Sequence, residues 1–185
     1  MTTPHVKEYL RSHHMQAIVA VDRNGVVGNG STMGWHDPED LAYFRDKTKH
    51  TIMVVGSTTF HGLPEQVRTD PTRPCIVLTS KCQGWQEEGY FAADSLKYLA
   101  LVLNTINPHR LRKVSVIGGG RVYDQLVPLC TDLLITRLDI KSEGSIGLWI
   151  EPDYWVKTKT TIGRHKKDTE NNRKPNQYEH YKRID

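Results

Sequence analysis

The sequence predicts an α/β domain with a mostly parallel central sheet, helices on both faces and an antiparallel C-terminal edge. Three observations carry this. Short, continuously apolar runs rich in β-branched residues recur along the chain with helical segments between them, the pattern of strands covered on both faces. Some of these runs end directly in glycine. Two alternating segments near the C-terminus flank a polar stretch, which reads as an antiparallel pair.

The elements follow in order. Residues 16–21 form an apolar run that stops at the turn Asp22-Arg23-Asn24-Gly25. Asp37 is a natural N-cap and Pro38 suits the first helical position, so a helix starts there and runs to about Lys47. Residues 51–55 are a strand closed by Gly56, and 75–78 are another, followed by Thr79-Ser80-Lys81. A capped helix from Asp94 to about Leu103 places Leu96, Leu99, Ala100 and Leu103 on one face. Residues 114–117 are a strand running into Gly118-Gly119-Gly120 and a helix over 121–126, and 133–138 are the next strand. Residues 155–163 and 178–183 are the alternating pair, and the charged stretch 166–177 between them is an exposed hairpin loop.

A chain of 185 residues with 37% hydrophobic content is long enough for a single core. Residues 15–185 are expected as one domain and residues 1–14 as a short polar extension ahead of it. No apolar run reaches membrane-span length, and residues 1–14 lack a secretory apolar region. Cys75, Cys82 and Cys130 are odd in number and lack metal-ligand spacing, which fits a reducing cytoplasm without a disulfide framework or a metal. A formal charge of +4 suits an anionic small ligand. The basic charge is too diffuse to imply nucleic acid.

Asp40 is the most informative residue. In the segment Asp37-Pro38-Glu39-Asp40-Leu41-Ala42-Tyr43-Phe44, helical spacing groups Asp40 with Leu41 and Phe44. A carboxylate on an apolar face wants a cationic or hydrogen-bonding ligand. The plainer reading is a helix-dipole Asp facing water. In a parallel sheet, ligands collect outside the carboxyl ends of the strands, and Gly118-Gly119-Gly120 there would let backbone amides approach a phosphate. Gly56-Ser57-Thr58-Thr59 repeats that arrangement. The glycines at 28, 30 and 34 do not fit a dinucleotide fingerprint, because no helix opens at Gly30; they suit a mobile lid leading to Trp35.

Together these motifs resemble the dihydrofolate reductase family, over nearly the whole chain from about residue 16 to 183. The likeness rests on Ile18-Val19-Ala20 with Val26-Val27-Gly28, on Met33-Gly34-Trp35, and on Asp40-Leu41-Ala42-Tyr43-Phe44-Arg45. It continues through Gly56 with Thr59, Arg73-Pro74-Cys75-Ile76-Val77-Leu78-Thr79-Ser80, Val116-Ile117-Gly118-Gly119-Gly120-Arg121-Val122-Tyr123, and Thr136. The resemblance implies an eight-stranded, mostly parallel sheet and reduction of dihydrofolate by NADPH in the cytoplasm, by a monomer.

It also implies roles. Asp40, with Thr136 beside it, would hydrogen-bond the pterin. Ile18, Ala20, Leu41, Phe44, Ile117 and Tyr123 would wall the substrate, and Arg73 would pair with the carboxylate of its glutamate tail. Ala20, Val27, Gly56, Ser57, Thr58, Thr59, Leu78, Thr79, Ser80, Lys81, Gly118, Gly119, Gly120, Arg121, Val122 and Tyr123 would hold NADPH, with a Gly118–Gly119 peptide of unusual geometry. Met33 would sit on the lid, and Trp35 would order a water near Asp40.

Five positions depart from the family pattern. Ser57 stands where an arginine often grips the 2′-phosphate, and Ser145-Ile146 where an Asp-Thr pair is common. Gly34 and Trp149 each replace a proline. Two alternatives are a riboflavin-pathway reductase acting on an aminopyrimidine, and an inactive binding or structural protein on the same fold. The pairing of Trp35 and Asp40 with Arg73 fits a pterin with a carboxylate tail better than an aminopyrimidine, while Ser57 and the N-terminal extension leave the inactive-protein alternative open.

Overall fold

The computed structural model describes residues 3–28, 35–86, 89–144, 146–148, 152–164 and 173–184. Among these, nine strands form one sheet and two more form a small separate ribbon. In chain order the helices are α1 (Thr3–Arg11), α2 (Pro38–Thr48), α3 (Ser57–Gly62), α4 (Glu65–Arg68), α5 (Leu96–Ile106) and α6 (Gly120–Leu126). The strands are β1 (Met15–Val21), β2 (Val26–Gly28), β3 (Ile52–Gly56), β4 (Cys75–Leu78), β5 (Gly84–Gln86), β6 (Tyr90–Ala93), β7 (Val114–Val116), β8 (Asp132–Arg137), β9 (Ile146–Gly147), β10 (Trp155–Ile162) and β11 (Gln177–Arg183).

The sheet order is β10-β11-β8-β1-β7-β3-β4-β6-β5. From β8 to β6 the neighbours are parallel, while β11 and β10 at one edge and β5 at the other are antiparallel. The expected sheet of about eight strands therefore has nine. The antiparallel pair β5 and β6 is short, three and four residues, too brief to leave a periodic signal.

Strand alternation splits the core in two. On β3, Ile52 and Val54 join the cluster under α1, α5 and α6, while Met53 and Val55 join the one under α2 and α3. β1 and β8 follow the same rule, since Leu133 and Ile135 face one way while Ile18 and Leu134 face the other. Ala20 pairs with Thr136 and Tyr178 pairs with Thr136 from the other side. By parity with Leu134, Thr136 is directed to the face that α2 covers.

The segment expected as a polar extension carries α1, whose Val6 and Leu10 are buried in the larger cluster. Its other side chains from His5 onward are mostly exposed, so composition concealed a docked helix. The α5 cap is Ser95 rather than Asp94: its side chain accepts the Tyr98 N–H. No helix among the described residues is long and apolar enough to cross a membrane. Cys75, Cys82 and Cys130 are unpaired.

Candidate active site

A cleft of about 530 Å³ opens between α2 and the carboxyl ends of β1 and β7. Of the residues singled out in the sequence, Ile18, Ala20, Val27, Trp35, Asp40, Leu41, Phe44, Thr59, Ile117, Gly119, Gly120 and Tyr123 line it. Val19, Gly28, Gly62, Leu63 and Ile146 line it as well. Ile146 belongs to the two-residue strand β9, which pairs with β2, and two residues carry no readable periodicity. A second depression of about 480 Å³, lined by Lys49, His50, Thr51, Thr72, Leu111, Arg112 and Lys113, is shallow and lies at the opposite, amino end of the strands.

Asp40 is buried, held by a helix that its own flanks specify. Pro38 opens α2, and the Asp37 carboxylate accepts the Asp40 N–H at 2.8 Å. Burial pushes the Asp40 carboxyl up, the nearby Thr136 hydroxyl lowers it, and the Asp37 charge raises it further; it ends above the usual carboxylate range. The Thr136 hydroxyl is itself buried and, beyond its approach to Asp40, meets no well-formed hydrogen-bond partner among the described residues, as is true of the Trp35 indole N–H. A buried donor without a partner is costly, so both are suited to a ligand or an ordered water.

The glycine corner lies at the other end of the cleft. The Gly118–Gly119 peptide is cis, and Gly118 has φ 105°, a conformation side chains rarely adopt. A Cβ on Gly119 would sit 3.0 Å from Thr59 Oγ1, and one on Gly120 would sit 2.8 Å from Ile146 Cγ2. These residues thus form a cradle that side chains would fill. The neighbouring loop joins it where the Gly56 N–H donates to Gly118 O at 2.7 Å. Leu78 pairs with Gly56 on the next strand, so Ser57, Thr58, Thr79, Ser80 and the exposed Lys81 continue the same rim. Hydroxyls, amides and a cation along a glycine-lined groove fit a phosphorylated dinucleotide.

Not every expected residue has what its role asked. Val122 is buried in the core, and its N–H donates to Gly119 O at 2.9 Å. It therefore supports the corner from beneath and offers a ligand nothing polar. Tyr123 likewise gives its N–H to Gly119 O and its hydroxyl to Ile18 O, leaving only its ring for the cleft. Arg121 is exposed on the first turn of α6. Arg73 lies outside the cleft lining: its Nε donates to Asp70 at 2.8 Å and its Nη1 to Thr48 Oγ1 at 3.3 Å. That fixes the fork at the C-terminal end of α2. Met33 and the rest of the expected lid at 29–34, like Ser145, lie outside the described residues.

The mixed sheet, with its buried carboxylate and glycine corner at the carboxyl ends of the strands, defines a small α/β ligand-binding domain with one principal cleft. A family model for dihydrofolate reductase matches residues 14–183, and the chain belongs to that family. It is 31% identical to the dihydrofolate reductase of Neisseria meningitidis over 148 residues, 80% of this chain and 86% of that protein. It is 31% identical to dihydrofolate reductase HdrB of Haloferax volcanii over 145 residues, 74% of each. Among solved structures, the dihydrofolate reductase from Enterococcus faecalis, complexed with NADP(H) and RAB-propyl, matches with a TM-score of 0.75 and 32% identity, covering 92% of this chain and 96% of that one. The helix α1 lies ahead of the family match.

Proposed function

We propose that this protein reduces 7,8-dihydrofolate to 5,6,7,8-tetrahydrofolate with NADPH, and that Asp40 handles the proton. The single observation carrying the residue assignment is the buried Asp40 carboxylate, raised above its usual range and facing the cleft beside Thr136. A pterin's ring nitrogen and amino group present adjacent donors, which one carboxylate can accept together.

NADPH, when bound along the glycine corner, supplies the hydride that reaches C6 of the pterin. The chain's own residues do the rest. Asp40 and Thr136 orient the ring, while Leu41, Phe44, Ile18 and Ile117 flank it and exclude water. N5 gains a proton, and a carboxyl of raised pKa retains proton affinity closer to neutral pH, where that proton is needed. The Trp35 N–H, unpartnered among the described residues, would hold a water on that route. Arg73, clamped by Asp70 and Thr48, keeps donors for the tail carboxylate. Gly56, Ser57, Thr59, Gly119 and Gly120, with Thr79, Ser80 and Lys81 beyond them, would hold the dinucleotide.

Residues 15–185 act as one domain with 1–14 as an extension docked on its back, working as a monomer in the cytosol. The scattered exposed apolar side chains, such as Trp85, Leu101 and Leu111, favour a monomer, and three unpaired cysteines favour the compartment. The test is NADPH oxidation with dihydrofolate, followed by absorbance. Turnover with dihydrofolate but not with a ribityl aminopyrimidine is expected. The reverse preference, or no turnover of either, would overturn the assignment.

A further inference from the structure

Asp37 does more than cap α2. Its Oδ1 accepts both the Asp40 N–H at 2.8 Å and Asn176 Nδ2 at 3.0 Å, while its Oδ2 accepts from Arg173 Nη2. The same guanidinium nitrogen donates to Asn176 Oδ1 at 3.1 Å. Two residues along, Glu39 Oε1 accepts the Arg164 N–H at 2.6 Å. The two sides are joined where the Gly163 N–H donates to Asn176 O at 2.7 Å. Both stems of the β10–β11 connection are thereby fastened to the first turn of the helix that carries Asp40. Asp37 is 6% exposed and Asn176 3%.

A helix cap needs only one side-chain acceptor. Here the acceptor is a buried carboxylate with a cation from 136 residues away, an arrangement whose desolvation cost makes it poor evidence for stability. We propose that Arg173 is a positioning residue for the reaction: through Asp37 it fixes the first turn of α2, and it offsets the charge that Asp37 presents to Asp40. The proposal rests on the assignment of Asp40 to the proton.

Charged and titratable groups meet Asp40 from several elements. Asp37 and Tyr43 lie on α2 or at its cap, Tyr123 on α6 and Tyr178 on β11, with Glu39 near Tyr178. Burial pushes all three tyrosines up, Tyr43 and Tyr178 to about 12, so they stay neutral in the working range. Burial also pushes Asp37 up, but the Asp40 N–H, Arg173 and Asn176 outweigh it and hold it low, hence ionised. Without Arg173 that charge stands uncompensated, and the proton affinity of the cleft rises. The direction is the same whether the proton resides on Asp40 or reaches N5 through solvent beside an ionised Asp40.

The experiment is single-turnover hydride transfer from NADPH to dihydrofolate against pH, in full-length wild type, Arg173→Met, Arg173→Lys, Asp37→Asn and Asp40→Asn, with a thermal melt of each. The rate should fall as pH rises. Its midpoint should move up by about half a pH unit in Arg173→Met, return toward wild type in Arg173→Lys, and move down in Asp37→Asn. Unchanged midpoints with a lower melting temperature would make Arg173 merely structural and overturn the proposal, as would a downward shift in Arg173→Met. If Arg173→Met fails to fold, the Asp37→Asn midpoint decides alone. Asp40→Asn separates the two claims. Near-wild-type rates there would remove the Asp40 assignment itself, whereas an inactive Asp40→Asn with unmoved Arg173→Met and Asp37→Asn midpoints removes only the role of Arg173.

Discussion

The Tyr123 hydroxyl donates to the Ile18 carbonyl at 2.8 Å, across 105 residues of chain. One bond thus ties α6, which follows the glycine corner, to the strand that floors the cleft. The ring of Tyr123 also lies 3.0–3.1 Å from where a Gly118 Cβ would be, so it braces the corner as well. Tyr123→Phe keeps the brace and removes only the hydroxyl, leaving a buried carbonyl without that partner. It should cost about 1–2 kcal/mol in urea unfolding, with NADPH affinity nearly unchanged. Tyr123→Leu should cost more and weaken NADPH binding too. Equal stability of Tyr123→Phe and wild type would show that the bond contributes nothing net.

Asp40→Asn should lose activity and gain stability. In the free protein, burial raises the Asp40 pKa, so the folded state binds its proton more tightly than the unfolded chain does. The stability this contributes is fully present below the unfolded value of about 3.9 and is lost as pH rises through the folded pKa. The amide mimics the neutral form throughout. The melting temperatures of the two proteins should therefore nearly coincide near pH 4 and separate in favour of Asp40→Asn above the folded pKa. Each 1 kcal/mol is about 2–4 °C for a chain of this size. A mutant less stable at pH 8 than at pH 4, relative to wild type, would mean that the carboxylate is compensated in the free protein.

Arg73 tests the tail. Arg73→Leu should raise the KM for dihydrofolate about tenfold to a hundredfold, the value of a lost charge-assisted contact. A pterin without the glutamate should scarcely notice, and NADPH affinity should hold. The same substitution strips Asp70 and Thr48 of a partner, so a purely structural Arg73 predicts equal losses with both substrates. Steady-state kinetics on the pair of substrates distinguishes these outcomes.

Much of this was legible in the residues, for a physical reason. β1, β3, β4, β7 and β8 are buried on both faces, so their apolar runs leave few alternatives to a parallel strand. Asp40 was visible because Asp37 and Pro38 fix the phase of its helix. What escaped is what depends on distant partners. α1 buries only its Val6 and Leu10 stripe against the core and otherwise reads as polar. Ile146 reaches the cleft by pairing with β2. Asp37 reads as an ordinary cap, since nothing near it in sequence announces Arg173 or Asn176.

The glycine corner joins cofactor binding to cofactor choice. A methyl group on Gly119 would face the cleft and press on Thr59 Oγ1 at 3.0 Å, a contact that Thr59 can relieve by a small rotation. Gly119→Ala should therefore lower stability by only about 1 kcal/mol, within the range of mild overpacking, while NADPH affinity falls at least about tenfold because the path of the pyrophosphate is narrowed. Ser57 carries no charge at the start of α3, so in the proposed binding mode the 2′-phosphate would rely on the hydroxyls of Thr79 and Ser80 and on exposed Lys81 one strand away. NADPH should still bind more tightly than NADH, by a modest margin. Ser57→Arg should widen that margin by strengthening NADPH binding alone, since a planar guanidinium can grip a phosphate with two bonds. Fluorescence titration of both cofactors into the free wild-type, Gly119→Ala and Ser57→Arg proteins reads the affinities, and urea unfolding of Gly119→Ala reads its stability. Tighter NADH binding in the wild type would reverse the preference. An undiminished affinity in Gly119→Ala would move the dinucleotide away from this corner.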